Sequence, residues 1–355
     1  MSGIANTLAR LDFLAHVPLP MLQASVRYWS LRELGPGEVL AAEGDAPDAL
    51  AIVLSGRLRA QVGGTPLSDI GPGELVGEVA AFLKGATISA TLTVLEPTEL
   101  AVLRIPSLLA LRRRGSPIYR ALLDAALRTL CDRVRRTDAR ITELCQANRT
   151  ALPERPSPDD DSAPPEPPAL APLLRGLPGL QALTPAQLDQ LVAAFRPVAV
   201  RDGDALVSEG QPGDSAFVIA CGRVQVVRGL GEGRDGWLTT LGPGDPFGFN
   251  ALIDDGPRSA SCRAAGAGWV YRMSSDAFDA LGGDLRLAWQ ESLLATLATQ
   301  LRLANAIVSA TQGGGVEVPD FRRLLQASGA LEGLSLAGTD ALEPASAADP
   351  LGSPS

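Results

Sequence analysis

Two stretches of the chain carry the two-residue rhythm of half-buried strands, and each gives way to the wider rhythm of a helix. Ala49 to Gln61 and Ala216 to Arg228 are apolar, β-branched runs carrying a Gly-Arg step, which predicts in each a pair of strands joined by a tight turn. Thr91 to Ile105 and Ser261 to Met273 predict a further pair of strands in each half. Apolar residues then recur at i, i+3 and i+4 over Ile118 to Cys145 and over Leu285 to Ile307, the spacing of a helix with one buried face. Shorter helical segments, Pro20 to Tyr28 and Pro185 to Phe195, precede the strands. Their prolines fall in the first turn, where a missing N–H costs nothing. The pattern is helix, barrel-like strands, helix, twice over.

The two halves also repeat residue by residue. Gly37, Glu43-Gly44 and Gly56-Arg57 recur 166 positions later as Gly203, Glu209-Gly210 and Gly222-Arg223. The shift then becomes 171, with Gly71-Pro72-Gly73 matching Gly242-Pro243-Gly244 and Gly77 matching Gly248. The excess fits a longer hairpin around Gly229 to Gly236 in the second copy. Ser89-Ala90 matches Ser259-Ala260 at a shift of 170. Motifs that keep register with small slips indicate duplicated architecture. Between the copies, Thr150 to Ala169 holds seven prolines and five acidic residues in twenty positions, a composition that stays extended and solvated. The expected organisation is a first domain over 1–149, a linker over 150–169, a second domain over 170–312 and a low-complexity, mostly disordered tail over 313–355. Within that tail, Val318 to Leu331 could form one short amphipathic helix.

Composition narrows the function classes. The net charge of −9 opposes nucleic acid and anionic membrane surfaces. With one histidine, His16, and four cysteines that form no CxxC pair, zinc sites and His-based catalysis have little material. No signal peptide and no run of 18 apolar residues is evident, so a cytoplasmic protein is expected, without a cofactor and without a catalytic constellation.

The array Phe247-Gly248-Phe249-Asn250-Ala251-Leu252, a loop, then Pro257-Arg258-Ser259-Ala260-Ser261 resembles the phosphate-binding cassette of cyclic-nucleotide-binding domains. Such domains occur in cAMP receptor regulators and kinase regulatory subunits. The first half carries Val76-Gly77-Glu78-Val79-Ala80-Ala81 and Thr87-Ile88-Ser89-Ala90-Thr91 in the same order. The resemblance covers roughly Leu11 to Gln146 and Leu173 to Ser309. It implies a mainly β fold with flanking helices: two double-stranded β-helix (jelly-roll) barrels, each followed by α-helices. It also implies a ligand, a cyclic nucleotide or related phosphate, held by the glycine and the short helix after it, an arginine, a glutamate and a small hydroxyl residue. The arginine neutralises the phosphate and can donate two parallel hydrogen bonds, while the glutamate accepts from the ribose 2′-hydroxyl. Gly248, Phe249, Asn250, Ala251, Arg258, Ser259 and Ala260 are the candidate ligand-binding residues of the second cassette. Gly77, Glu78, Ser89 and Ala90 are those of the first.

Aligning the halves separates the cassettes. Arg258 corresponds to Ile88, and Glu78 corresponds to Phe249, so neither copy has the full arginine–glutamate pair. The first site is expected to have no useful nucleotide affinity. The second is expected to lose about ten- to a hundredfold for the missing ribose contact. Arg258 is weighed against an arginine paired with Asp254 or Asp255, and Glu78 against a helix-capping carboxylate. Arg112-Arg113-Arg114 and the series Arg128, Arg133, Arg135, Arg136 and Arg140 are expected to be solvated charged faces. The apolar face of Leu285 to Ile307 serves either core packing or a homodimer. The leading expectation is a non-enzymatic regulator that signals to a protein partner. A nucleotide-independent interaction scaffold is the alternative, and a transcription regulator lacking a helix-turn-helix stands behind both.

Overall fold

The computed structural model describes residues 2–148, 164–229, 235–254, 256–312 and 335–336. The first module opens with helices α1 (Ser2–Leu8) and α2 (Leu19–Ser25). Its strands are β1 (Trp29–Leu34), β2 (Val39–Ala41), β3 (Ala49–Val62), β4 (Thr65–Ile70) and β5 (Leu75–Val76). Helix α3 (Glu78–Phe82) follows, then β6 (Leu83–Lys84), β7 (Thr91–Arg104) and the helices α4 (Ile105–Arg113) and α5 (Pro117–Asn148). The second module repeats the order. Helices α6 (Leu170–Arg175) and α7 (Pro185–Ala193) lead into β8 (Arg196–Val200), β9 (Ala205–Val207) and β10 (Ser215–Cys221). Strands β11 (Val224–Gly229), β12 (Asp235–Leu241) and β13 (Pro246–Phe247) precede helix α8 (Asn250–Asp254). Strands β14 (Ser261–Ala264) and β15 (Gly268–Ser274) and helices α9 (Ser275–Asp279) and α10 (Gly283–Gln312) complete it.

Each barrel is an antiparallel wrap. In the first module β3 pairs with β7 from Ala49↔Arg104 to Gln61↔Thr91, so each predicted strand pair there is one bent strand, not two. The bend falls at Gly56, whose φ is +86° and where a Cβ would stand 2.3 Å from the Pro97 carbonyl oxygen. In the second module the ribbon is cut in two, β10 with β15 and β11 with β14, as predicted. The barrel interiors are separate apolar cores, around Val53, Leu58 and Leu100 in one and Ile219, Val224 and Val270 in the other.

A third core joins the modules through α5 and α10. Leu127, Leu130 and Val134 pack there with Leu294, Leu297 and Leu301, all buried, and the second set stands 167 residues after the first. The repeat therefore runs on into the helices. The apolar face of α10 is covered by the chain's own α5, so a homodimer through that face would have to displace it. The pairing is held at one end by Glu291 on α10, 2% exposed. Both its oxygens accept from Arg112, at 2.7 and 2.8 Å, and Tyr119 donates to Oε1 at 2.6 Å. Arg112 is thus an inter-module ion-pair residue and not part of a solvated basic face, and Arg114 donates to the Tyr28 hydroxyl at 2.6 Å. Burial beside Glu291 pushes the Tyr119 hydroxyl well above its ordinary pKa, so it stays a donor.

The end of the proline-rich segment packs on the second barrel: Trp269 donates to the Pro164 carbonyl and Tyr271 to that of Pro168. Of the 313–355 segment only Ser335–Leu336 is described, paired with β6. The rest of the segment, with the helix expected over Val318 to Leu331, lies outside the described residues.

Candidate functional site

The backbone confirms which positions correspond. The N–H of Gly44 bonds the Ile88 carbonyl as that of Gly210 bonds the Arg258 carbonyl, and the N–H groups of Ile88 and Arg258 bond Asp45 and Gln211. Ile88 and Arg258 therefore occupy one place in the fold. The two cassettes differ in what fills it.

In the second module Gly248 turns the chain into α8 with φ +72°, and a Cβ there would stand 3.1 Å from Nη1 of Arg258. The arginine fills the room glycine leaves. It is 8% exposed and donates to the carbonyls of Gly248 and Ser215 and to the Ser215 hydroxyl. No carboxylate among the described residues pairs with it. Asp254 is taken instead by Arg135 of α5, at 2.9 and 3.0 Å, so the surface pairing weighed for Arg258 does not form with Asp254; Asp255 lies outside the described residues. Asp214, which acts on Arg258 from farther away, is paired with Arg272 at 3.0 Å. Burial pulls the Arg258 guanidinium below its ordinary pKa, the direction expected of a buried cation without a carboxylate partner.

Arg258 lies on the wall of a cleft of about 930 Å³. Gly248, Phe249, Asn250, Ser259 and Ala260 line it with Arg258, so six of the seven candidate residues of the second cassette come together. Ala251 lies within α8. Phe249, at the position of Glu78, is 1% exposed and packs into the inter-module core, filling with hydrocarbon the space a ribose-binding carboxylate would take. Cys262 forms another wall; burial pushes its thiol up to about 12, so it remains un-ionised.

The rest of the cleft comes from elsewhere. Val207, Val226 and Leu241 supply an apolar barrel wall. Gln300 and Ala304 come from α10, and Val134, Asp138 and Ile141 come from α5, the long helix of the first module. Each long helix crosses to the other module's cassette: Arg135 on α5 donates to the Pro257 carbonyl, and Arg302, 167 residues later, donates to that of Thr87. The contacts of the two helices are reciprocal, each reaching the other module's cassette as well as its own.

The first cassette is closed by the same logic. Gly77 precedes α3, and Glu78 is 2% exposed. It does not cap the helix: its Oε1 accepts from Nη1 of Arg133 at 2.5 Å, and Nη2 of that arginine donates to the Leu75 carbonyl at 2.7 Å. A residue expected on a solvated face is inside the cassette instead. Ser89 and Ala90 line a smaller cavity of about 410 Å³, beside Arg133, Arg136, Leu301 and Asn305. Ile88 packs against the inter-module core. Glu78 is thus engaged by an arginine of its own chain.

Sequence reasoning missed Asp138, Gln300 and Arg133 because each lies on a helix remote from its cassette. The signal was the 167-residue repeat, which places Gln300 opposite Arg133 and Asn305 opposite Asp138.

Comparison with known proteins agrees with this architecture. The family model described as the cyclic nucleotide-binding domain matches residues 31–114 and again 197–282. The chain is 34% identical over 125 residues to the CRP-like cAMP-activated global transcriptional regulator of Mycobacterium tuberculosis, covering 35% of this chain and 55% of that one. It is 24% identical over 247 residues to the cAMP-dependent protein kinase regulatory subunit of Yarrowia lipolytica, covering 70% and 52%. The chain thus spans about half the length of these curated relatives. Among solved structures it is similar to the regulatory domain of Toxoplasma gondii PKA with cAMP, at 19% identity and a TM-score of 0.31, over 82% of this chain and 95% of that one. No helix among the described residues is long and apolar enough to cross a membrane. The two matched segments fall on the two barrels and their repeated cassettes, so the chain carries two cyclic nucleotide-binding-type domains in tandem.

Proposed function

We propose that the second module is a receptor for a cyclic nucleotide or closely related phosphate ligand, and that the first module is a closed, structural partner to it. The observation that carries this reading is Arg258: a buried guanidinium whose partners are neutral oxygens, on the wall of an open cleft. An anion there supplies the charge compensation that the protein withholds, and its affinity comes largely from that term. Glu78, bound to Arg133, offers no such place in the first module. A ligand beneath α5 and α10 contacts both helices, so binding shifts how they sit on the barrels and changes the surface shown to a partner protein. The protein acts in this reading as a regulator and carries out no chemical step.

Calorimetry on the full chain with cAMP, cGMP and cyclic dinucleotides tests it. One ligand per chain is expected, with affinity about ten- to a hundredfold weaker in Arg258→Ala. No heat with any ligand, or equal affinity in the two proteins, would overturn the receptor reading and leave a nucleotide-independent scaffold.

A further inference from the structure

The second barrel presents an aromatic pair that the first barrel lacks. On β15, Val270 belongs to the barrel interior, so Trp269 and Tyr271 on either side of it lie on the outer face. Directly opposite them on β8 stand Ala199 and Pro197, both exposed. The indole N–H of Trp269 donates to the Pro164 carbonyl, and the Tyr271 hydroxyl donates to that of Pro168, each at 2.9 Å. Composition predicts solvated chain in this segment. Instead, four of the linker's prolines, Pro164, Pro165, Pro167 and Pro168, span two side-chain anchors.

The internal repeat supplies the comparison. Cys221 pairs with Trp269 as Ser55 pairs with Glu99, and Val218 pairs with Tyr271 as Ile52 pairs with Ala101. Trp269 and Tyr271 therefore stand where the first barrel has Glu99 and Ala101. That barrel closes without either ring, so barrel packing does not call for them. Their chemistry suits one class of ligand. Proline has no N–H, so a proline-rich segment cannot answer its carbonyls through a helix or ladder of its own and takes donors from elsewhere. Tryptophan and tyrosine each offer a flat apolar ring with one donor at its rim. Prolines also lose little freedom on docking, because their φ is already fixed.

We propose that the Trp269–Tyr271 face is a docking site for a proline-rich segment of a partner protein, and that the chain's own Pro164–Pro168 segment occupies it in cis. The cis segment sets the threshold. It runs directly into α6 at Leu170, so it is held at the high local concentration of a short tether, and a partner enters only in competition with it. This holds whether or not the cleft at Arg258 takes a ligand.

The test is fluorescence anisotropy with a labelled peptide of residues 160–169. It is titrated with the full chain and with a full-length glycine variant carrying Pro164→Gly, Pro165→Gly, Pro167→Gly and Pro168→Gly. Glycine keeps the carbonyls but raises the entropic cost of ordering the cis segment. The glycine variant should therefore bind the peptide at least about tenfold more tightly than the intact chain. Adding Trp269→Phe and Tyr271→Phe to it keeps a ring at each position, removes both donors and should weaken binding about tenfold. A peptide with glycine at the four proline positions should bind the glycine variant at least about tenfold less tightly than the proline peptide. No binding of the proline peptide to the glycine variant, or equal binding of the two peptides, would overturn the proposal. So would an intact chain that binds as tightly as the glycine variant, or phenylalanine exchanges without effect.

Discussion

Exchange of Glu291 for glutamine is expected to destabilise the protein by about 3–5 kcal/mol, because it breaks a buried ion pair from one side. Glu291 is 2% exposed and receives three hydrogen bonds, two from Arg112 and one from Tyr119. The amide cannot accept the bidentate pair, and Arg112, whose side chain is 22% exposed, is left as an uncompensated cation. The contact spans α4, α5 and α10, so the loss falls on the joint between the modules. For a chain of 355 residues the melting temperature should fall by about 4–7 °C. The comparison is Asp279→Asn, which removes the partner of Arg286 at an exposed pair and should cost less than about 1 kcal/mol. Thermal melts of the three proteins decide it. Equal, small shifts for the two variants would show that the modules are held together by apolar contact alone.

Exchange of Arg133 for leucine has a comparable expected effect, about 3–5 kcal/mol, for a different reason. Glu78 is left 2% exposed without its cation, and its Oε2 already has no partner. Removing the arginine strips the compensation from Oε1 and leaves the Leu75 carbonyl short of a donor. A Glu78→Leu, Arg133→Leu double variant should recover most of the loss, since neither charge then remains in the cassette. Denaturant melts of the single and double variants give the coupling directly. If the double variant is no more stable than Arg133→Leu, Glu78 is not held by Arg133 in solution, and the first cassette is open to other partners.

The fold was legible because both halves state it. Glycines needed at fixed turns kept their spacing, and a single alignment of the halves located barrels, cassettes and following helices. The strand pairs predicted in the first module failed for a local reason: β3 and β7 run on past Gly56 as one strand each, with register shifts between Val53 and Leu58 in place of a turn. The half of the site made by the second cassette was equally legible, since Gly248, Arg258 and Ser259 are close in sequence and their roles are carried by residue type. The other half was not. Asp138 reaches the second cassette only because α5 crosses to the other module. Arg133, 55 residues beyond Glu78, and Gln300 enter the cassettes of their own modules from the long helices that follow the barrels. Charge on a helix then looks like solvated surface, and Arg133 and Arg135 were read that way although each is bound to a buried or half-buried carboxylate.

The central claim is that one ligand cleft is built from the second cassette and roofed by the first module's helix. Photolabelling the full chain with 8-azido-cAMP, followed by mass spectrometry of the modified peptides, addresses it directly. The account predicts label on the second barrel near Leu238 to Leu241 together with label on α5 between Val134 and Ile141, abolished by excess cAMP and reduced in Arg258→Ala at the same probe concentration. Label confined to the first module's barrel, or label on the second barrel with none on α5, would contradict it.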